Sequence, residues 1–426
     1  IHEVKKVYQP LKFSNYNASN NTIVVLNRYD FLDLSNLTHG WEVTEDGVIV
    51  SKGFLELPEI KAGSSMQVKM DQHGYEYDIS REYHLKIISK MKQAKDLMPA
   101  GHVIAWDQFL IQAATTDKAE KPLPTLDIVK QDGMLLVAGQ GFEVSVSEQS
   151  GLIESYKHNQ KEYLESSLSP QFWRAPNDND IGNAMQNRCG VWKDMPERLR
   201  LVDLKSEKID ASHARIVATF DNTIDSIGLV LEYIINGQGM TDISMDLTVE
   251  AKGLPEIPRY GMTFKLPGSL NKVEWFGRGP HESYWDRKTS AAIGRYSGSI
   301  WDQYFPYVRP QETGNKTDVR WMAVRDDTGN GMMASGEPLL STAVHQYDYD
   351  RLDFVSKAQR HGRTYVKPGN IVTWNIDLKQ MGVGGDNSWG ARPHDAYTLH
   401  AQDYSFNFRL QPFHKGNAQS DLPEGK

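Results

Sequence analysis

Charged and aromatic residues are interleaved along residues 275–321, and this segment holds the side chains best suited to polar chemistry. Aromatic rings need burial, because each one removes roughly 150–250 Å² of surface from water. Charges beside them need partners, because a buried unpaired charge is very costly. Arginines in such a segment act as forked donors and carboxylates as their acceptors. The candidate donors are Arg287, Arg309 and Arg320, and the candidate acceptors are Glu282, Asp286, Glu312 and Asp318.

Two interpretations of this segment stay open on the residues alone. The charges could form a buried ion-pair network that only fixes loops, or they could form one wall of a cleft for a polar ligand. The neighbours His281 and Glu282 could be a general acid and a general base. Adjacent residues on a strand point to opposite faces, however, so we expect His281 to be a structural histidine.

The stretch FWRAPNDNDIG, residues 172–182, predicts a loop. Its proline disfavours helix at the preceding residue, and its asparagines and aspartates favour turns. Read as a calcium-binding EF-hand loop that starts at Asn177, it has Gly182 correctly at the sixth position. The twelfth position is Arg188, where that loop needs a glutamate, so the calcium hypothesis fails. We expect Arg174 to hold the loop through hydrogen bonds.

The stretch MGVGGDNSWG, residues 381–390, places Trp389 in a glycine-rich loop after a predicted strand. The small residues around it leave little bulk that could bury an indole ring. An exposed ring of this kind suits stacking against the apolar face of a sugar. The alternative is a tryptophan packed beneath the edge of a β-sandwich.

Signatures of metal and cofactor chemistry are missing from the sequence. The 13 histidines show no HExxH or other metal-ligand spacing, and the single cysteine excludes an internal disulfide and a cysteine-based zinc site. The sequence has no GxSxG elbow, no phosphate-binding loop and no dinucleotide fingerprint. We therefore predict no metal ligand and no cofactor in this chain.

Length and composition limit the classes of protein. The 426 residues should form two or three domains, and 39% hydrophobic residues can supply a core. A net charge of −8 argues against nucleic-acid binding, and no run of about 18 apolar residues could span a membrane. The chain starts with neither methionine nor a signal peptide, so we expect it to begin within a longer protein. The compartment stays open between cytoplasm and periplasm.

Alternating apolar residues predict strands through the first part of the chain. Tyr83, Leu85 and Ile87 alternate with polar residues, and turn signals such as residues 71–74 separate the apolar runs. Short strands at this spacing suggest an immunoglobulin-like β-sandwich over residues 1–118. The polar, proline-bearing stretch TTDKAEKPLP predicts a linker at residues 119–124.

Residues 125–414 predict a second, larger sandwich, and residues 415–426 a loose tail. Their predicted strands alternate apolar and polar residues, as antiparallel strands with one buried face do. Examples are residues 142–146, 243–249, 372–378 and 404–410. Helix signal is scarce. The best candidate, residues 184–197, is interrupted by Gly190 and Pro196.

Four stretches in the same chain order resemble the large bacterial beta-galactosidases of glycoside hydrolase family 2. They are FWRAPNDNDIG, GPHESYWDRK, YVRPQETGNKTDVRW and MGVGGDNSWG. The resemblance extends through most of residues 125–412 and more weakly over residues 1–118. It implies an all-β fold in which an immunoglobulin-like sandwich precedes a super-sandwich of the galactose-mutarotase type.

The resemblance also implies roles for particular residues. Trp389 matches a tryptophan that forms the galactose or glucose platform in this family. The loop at residues 172–182 matches a mobile loop near the active site. Gly182 would be its hinge, and Asp178 and Asp180 would hold its ends.

The implied activity is hydrolysis of terminal non-reducing β-D-galactose with retention, which needs two carboxylates roughly 5–5.5 Å apart. In the family both are glutamates of a (β/α)8 barrel, and this sequence lacks the strand–helix alternation of such a barrel. The glutamates and the ligands for magnesium, and for sodium, would then lie upstream of Ile1. The chain alone should be inactive.

The expected partners are β-galactosides, the missing barrel and, in the complete enzyme, further copies of the same protein. Neither nucleic acid nor a membrane is expected as a partner. Two alternatives stay open, a free-standing carbohydrate-binding module and an enzyme similar to aldose epimerases.

Overall fold

The computed structural model describes residues 1–71, 76–115, 122–222, 226–355 and 366–414. Half of the chain is in strands and 8% is helical, so the predicted all-β fold class is confirmed. Within the described ranges, no helix is long and apolar enough to cross a membrane. Residues 72–74 of the expected turn, residues 119–121 of the predicted linker and the whole predicted tail fall outside these ranges.

The described residues form two compact units. The first contains residues 1–115 together with Lys288–Arg295, and the second contains residues 122–287 and 296–414. The segment Lys288–Arg295 belongs to the part of the chain that the sequence assigned to the second sandwich.

The first unit contains one short helix and two antiparallel sheets. The elements are α1 His2–Val7, β1 Leu11–Asn17, β2 Thr22–Asn27, β3 Leu37–Glu45, β4 Val48–Phe54, β5 Ser65–Lys69, β6 Tyr83–Met91 and β7 Val103–Gln112. One sheet has the order β1-β2-β5, and the other has the order β4-β3-β6-β7. Their apolar side chains, among them Phe13, Trp41 and Leu85, form one core.

Asp107 on β7 ties the beginning of the chain to this unit. Its carboxylate accepts hydrogen bonds from Lys6 at 2.6 Å, Gln9 at 3.0 Å and the backbone amide of Phe13 at 2.8 Å. The Lys6 side chain is buried, and burial lowers its pKa despite the nearby carboxylate. A buried ammonium needs such a partner, so Asp107 stabilises the position of α1.

The rest of the described chain contains short strands, four one-turn helices and then long strands. The first elements are β8 Leu126–Gln131, β9 Met134–Gly139, β10 Phe142–Ser147, β11 Ile153–His158, β12 Lys161–Glu162, β13 Ser169–Gln171, α2 Asp178–Gly182, α3 Met185–Arg188, α4 Gly190–Lys193 and α5 Met195–Arg198. The later strands are β14 Arg200–Lys208, β15 His213–Asn222, β16 Ile227–Asn236, β17 Thr241–Val249, β18 Arg259–Pro267, β19 Lys272–Gly279, β20 Ala292–Ser299, β21 Lys316–Arg325, β22 Asn330–His345, β23 Ile371–Gln380 and β24 Tyr404–His414. Short 3-10 helices lie at Trp301–Gln303, Tyr349–Leu352 and Asp395–Tyr397.

These strands form two antiparallel sheets. The smaller has the order β12-β11-β10-β9-β8. The larger has 12 strands with the main order β13-β18-β23-β22-β24-β17-β16-β15-β14, and β19, β20 and β21 pair beside this path. The alternation predicted for β17 and β24 is confirmed, since Ile243 faces Phe408 and Met245 faces Phe406 with all four side chains buried. Burying each such side chain contributes roughly 1.5–3 kcal/mol.

The one-sided burial predicted for residues 372–378 is wrong. The side chains between the apolar residues of β23, Thr373, Asn375 and Asp377, are buried as well. Alternation in the sequence reports polarity, and a polar side chain can lie inside when another polar side chain pairs with it. Asp377 has such a partner in Arg259 on the neighbouring strand β18, at 3.2 Å.

The helical segment at residues 184–197 is confirmed as interrupted, and it consists of α3, α4 and α5. Gly190 begins α4, and Pro196 lies in the first turn of α5. That is where proline is tolerated, because the amide it lacks would have no intrahelical acceptor.

Candidate functional site

Helix α2 begins where the sequence predicted only a loop, so that prediction is wrong for residues 178–182. The Asn177 side chain accepts a hydrogen bond from the amide of Asp180 at 2.9 Å, and the Asp180 carboxylate accepts one from the amide of Asn177 at 3.0 Å. This reciprocal capping box satisfies two amides that a helix start otherwise leaves unpaired. The asparagine–aspartate run therefore caps a helix, whereas the prediction treated it as a set of turn formers.

Arg174 joins this helix start to the segment at residues 381–390. Its guanidinium is 0% exposed and donates to Asp180 at 2.8 Å. It also donates to the carbonyls of Met381 at 2.7 Å and Gly382 at 3.0 Å. A buried arginine needs this degree of pairing, and the pairing fixes both loops relative to each other.

Two asparagines of α2 and its cap add further contacts to the same glycine-rich loop. Asn177 donates to the carbonyl of Val383 at 3.1 Å, and Asn179 donates to the carbonyl of Asn387 at 2.8 Å. The carboxylate of Asp286, one of the predicted acceptors, also contacts this loop and accepts a hydrogen bond from the amide of Gly384 at 2.8 Å. The sequence analysis assigned no contact to either asparagine, although both lie within the quoted motif.

Trp389 projects from the loop that these contacts hold. Its side chain is 87% exposed, while its amide donates to the Asn387 side chain at 2.9 Å. The alternative of a packed indole is therefore excluded. The arrangement presents a flat apolar surface on a braced backbone, which is what a stacking platform requires.

Within the predicted network around residues 275–321, the acceptor Glu282 and the donor Arg287 pair with each other. Glu282 accepts from Arg287 at 2.7 Å, from the Tyr307 hydroxyl and from the amide of Gly314 at 2.9 Å. Arg309 pairs with Asp178 of α2 at 3.2 Å, which places Asp178 opposite this segment.

Two further members of the predicted network lie close together at β19 and β21. Asp318 pairs with Arg278 at 2.5 Å, and Arg320 donates to the Asp318 carbonyl at 2.6 Å. Arg278 was not among the predicted donors, although it lies within the quoted segment.

Glu312 belongs to a buried cluster that the sequence analysis missed in part. It accepts from Arg259 at 3.1 Å and from the Tyr349 hydroxyl, and Arg259 also faces Asp377 at 3.2 Å. Burial raises the pKa of Asp377 to about 8, although Arg259 opposes that shift. Both carboxylates therefore face the buried guanidinium of Arg259. Arg259 and Tyr349 lie outside the predicted segment, so its composition could not reveal them.

Two other buried groups lie near this cluster. Burial lowers the pKa of Lys316 to about 8 and the pKa of His345 to about 3. The His345 ring is therefore neutral at neutral pH, and its Nδ1 lies 3.0 Å from the Tyr347 hydroxyl. Across the residues that the structure describes, no group of three or more histidine, cysteine, aspartate or glutamate side chains could hold a metal ion.

Comparison with known proteins identifies the family. A family model described as "Beta galactosidase small chain" matches residues 138–410, and one described as "Beta-galactosidase, domain 4" matches residues 23–112. The chain belongs to the beta-galactosidase family. The resemblance read from the four motifs is thus confirmed.

Individual beta-galactosidases match over almost the whole chain. The beta-galactosidase of Priestia megaterium is 32% identical over 97% of this chain and 39% of its own length. That of Streptococcus thermophilus is 26% identical over 97% of this chain and 39% of its own length. The chain therefore spans 39% of the length of these relatives.

A solved structure of galactose 1-epimerase from Lactobacillus acidophilus is also similar. It is 8% identical, with a TM-score of 0.33, over 68% of this chain and 98% of that chain. A sequence identity and a TM-score this low show nothing about the activity of this chain.

Proposed function

We propose that this chain is the C-terminal, non-catalytic part of a beta-galactosidase and supplies Trp389 as a sugar platform at the rim of the active site. The single observation that carries the proposal is the exposure of Trp389 on a loop whose backbone is fixed by Arg174, Asn177 and Asn179. An exposed tryptophan on a rigid loop has a surface ready to stack without further ordering.

A platform of this kind needs a second set of groups to hold the sugar. Aromatic pairing contributes roughly 0.5–1.5 kcal/mol beyond area burial, whereas association costs an estimated 4–15 kcal/mol. One ring therefore cannot bind galactose tightly by itself. In a complete site, other groups offset that cost and the stacking counts in full.

The groups that perform the chemistry would belong to the catalytic barrel of the complete enzyme. Retaining hydrolysis of a β-galactoside needs a general acid and a nucleophilic carboxylate on either side of the glycosidic bond. Magnesium, with sodium as a second ion, would be bound there. The complete enzyme would act on terminal non-reducing β-D-galactose and would assemble as a homo-oligomer.

The test uses the purified chain and a nitrophenyl β-galactoside. We expect no turnover above a buffer blank, while a complete beta-galactosidase assayed beside it cleaves the same substrate. Turnover that disappears in Glu312→Gln or Asp377→Asn would contradict the proposal. Measurable interconversion of galactose anomers by the chain alone would instead favour the epimerase-like alternative.

A further inference from the structure

The contacts that hold the loop of Trp389 divide into those at its first part and those at its tip. Three side chains from outside the loop bind the backbone of residues 381–384. The tip, residues 387–390, carries Trp389 itself. Among the described residues, Asn179 is the one outside the loop whose side chain reaches this tip by hydrogen bonds. The position of the tip therefore depends on Asn179 in particular.

The side-chain amide of Asn179 bridges the backbone on both sides of Trp389. Its Nδ2 donates to the carbonyl of Asn387 at 2.8 Å, and its Oδ1 accepts from the amide of Gly390 at 3.4 Å. The bridge needs a donor at one end and an acceptor at the other, which an amide has and a carboxylate lacks. Asparagine therefore matches both backbone groups that flank the tryptophan.

The loop leaves space for this amide at Gly385. A Cβ atom placed on Gly385 would lie 3.0 Å from Nδ2 of Asn179 and 2.7 Å from the carbonyl oxygen of Ala391. Both distances are shorter than an ordinary van der Waals contact. The glycine at this position thus admits the Asn179 amide into the loop, so the bridge is part of how the loop is built.

The helix that carries Asn179 is fixed on both sides of this residue. Asp178 pairs with Arg309 at 3.2 Å, and Asp180 pairs with Arg174 at 2.8 Å. Asp180 and Arg174 are both buried. The Asn179 side chain therefore starts from a fixed backbone, and little conformational entropy is lost when its amide binds the tip.

Trp389 contributes little to its own position. Its side chain is 87% exposed, and its amide donates within the tip, to the Asn387 side chain at 2.9 Å. An exposed indole gains little from burial against the protein, so the direction in which the ring leaves the loop follows the backbone of the tip. A residue that fixes the tip therefore also fixes the ring.

We propose that Asn179 is the positioning residue for the Trp389 platform. Its amide holds the loop tip so that the indole meets a sugar without further ordering, which lowers the cost of binding. This proposal rests on the platform role proposed for Trp389. Asn179 itself touches no sugar and acts only through the ring.

The first experiment follows the Trp389 ring in the 426-residue chain without any sugar. The ten tryptophans are replaced by 5-fluorotryptophan, and the fluorine NMR signal that is missing in Trp389→Phe is assigned to Trp389. Asn179→Ala removes both hydrogen bonds. Asn179→Asp keeps the acceptor for Gly390 and places a second acceptor opposite the Asn387 carbonyl. Asn187→Ala is the matched control, because Asn187 is exposed on α3.

The released ring should sample more orientations than the held ring. We therefore expect the Trp389 signal to shift and to narrow in Asn179→Ala and in Asn179→Asp. It should stay as in the wild-type chain in Asn187→Ala. Circular dichroism and thermal unfolding show whether each variant is folded. An unchanged Trp389 signal in a folded Asn179→Ala would overturn the proposal.

The second experiment measures the Michaelis constant and kcat of the complete beta-galactosidase for a nitrophenyl β-galactoside. Asn179→Ala should raise the Michaelis constant by about two- to tenfold, the effect of ordering one side chain on binding, and should leave kcat unchanged. Combined with Trp389→Ala, the same substitution should have no further effect, because the ring that Asn179 positions is gone. An equal rise with and without Trp389 would overturn the proposal.

The two experiments separate the positioning role from the platform role. An unchanged Michaelis constant in Trp389→Ala would contradict the platform role, and the proposal would fall with it. An unchanged fluorine signal in Asn179→Ala, together with a raised Michaelis constant in Trp389→Ala, would contradict the positioning role alone.

Discussion

Gly182 and Gly390 pack backbone against backbone where α2 meets the loop that carries Trp389. A Cβ atom placed on Gly182 would lie 2.8 Å from the Cα of Gly390, and one placed on Gly390 would lie 2.6 Å from the carbonyl carbon of Gly182. Gly390 also has a φ of +104°, a backbone conformation that residues with a side chain rarely adopt. The position of Trp389 thus depends on two residues without side chains. The hinge role expected for Gly182 stays a prediction.

An alanine side chain at either position should push α2 away from the loop that carries Trp389, because the Cβ atom has no room there. We expect Gly182→Ala and Gly390→Ala each to lower the free energy of unfolding by roughly 1–3 kcal/mol, the usual cost of overpacking. Gly190→Ala is the matched control, because nothing lies within 4 Å of a Cβ at that position. Denaturant unfolding gives the free energy of unfolding of the three variants. Equal values for Gly182→Ala and Gly190→Ala would contradict the close packing.

The pairing of Arg259 with Glu312 should matter far more than a surface pair does. Arg259→Gln leaves a buried carboxylate without its cation, so we expect a loss of roughly 3–5 kcal/mol in the free energy of unfolding. Arg215→Gln is the control, since Arg215 pairs with Glu232 and Glu207 while itself exposed. Exposed pairs contribute roughly 0–1 kcal/mol. Similar losses in the two variants, measured by denaturant unfolding, would show that the cluster is not buried as described.

Residues that interact within one short motif were easier to identify from the sequence, although their pairing was not predicted. Arg174 and Asp180 lie in the same motif and form a buried pair. The small residues beside Trp389 favoured its exposure over a packed position, and the side chain is exposed. Arg259, Tyr349 and Asp377 come from distant strands and loops, and only the sheet pairing brings them to Glu312. Asp377 also looked like a solvent-facing residue, because alternation cannot distinguish a solvated polar face from a paired, buried one.

His39 should make the first unit sensitive to acid. Its ring is buried with Nδ1 at 2.8 Å from the Ser89 hydroxyl, and burial lowers its pKa to about 4. A folded-state pKa below the unfolded value stabilises the fold above about pH 6.5, and this stability is lost as the pH falls towards 4. The loss between about pH 7 and pH 5 should be roughly 2 kcal/mol.

The variant His39→Gln should remove that part of the pH dependence. His102→Gln, at a partly buried position, is its control. Denaturant unfolding of both variants and the wild-type chain at the two pH values gives the comparison. A wild-type slope that persists in His39→Gln would show that another group causes the acid sensitivity.

The most direct test of the proposed role of Trp389 is the Michaelis constant of the complete beta-galactosidase for a nitrophenyl β-galactoside. We predict that Trp389→Ala raises the Michaelis constant more than about tenfold, which corresponds to about 1.4 kcal/mol. Trp389→Phe should raise the Michaelis constant less, because an aromatic ring remains. The melting temperature should stay unchanged, since the side chain is exposed. An unchanged Michaelis constant together with a lower melting temperature in Trp389→Ala would contradict the platform role.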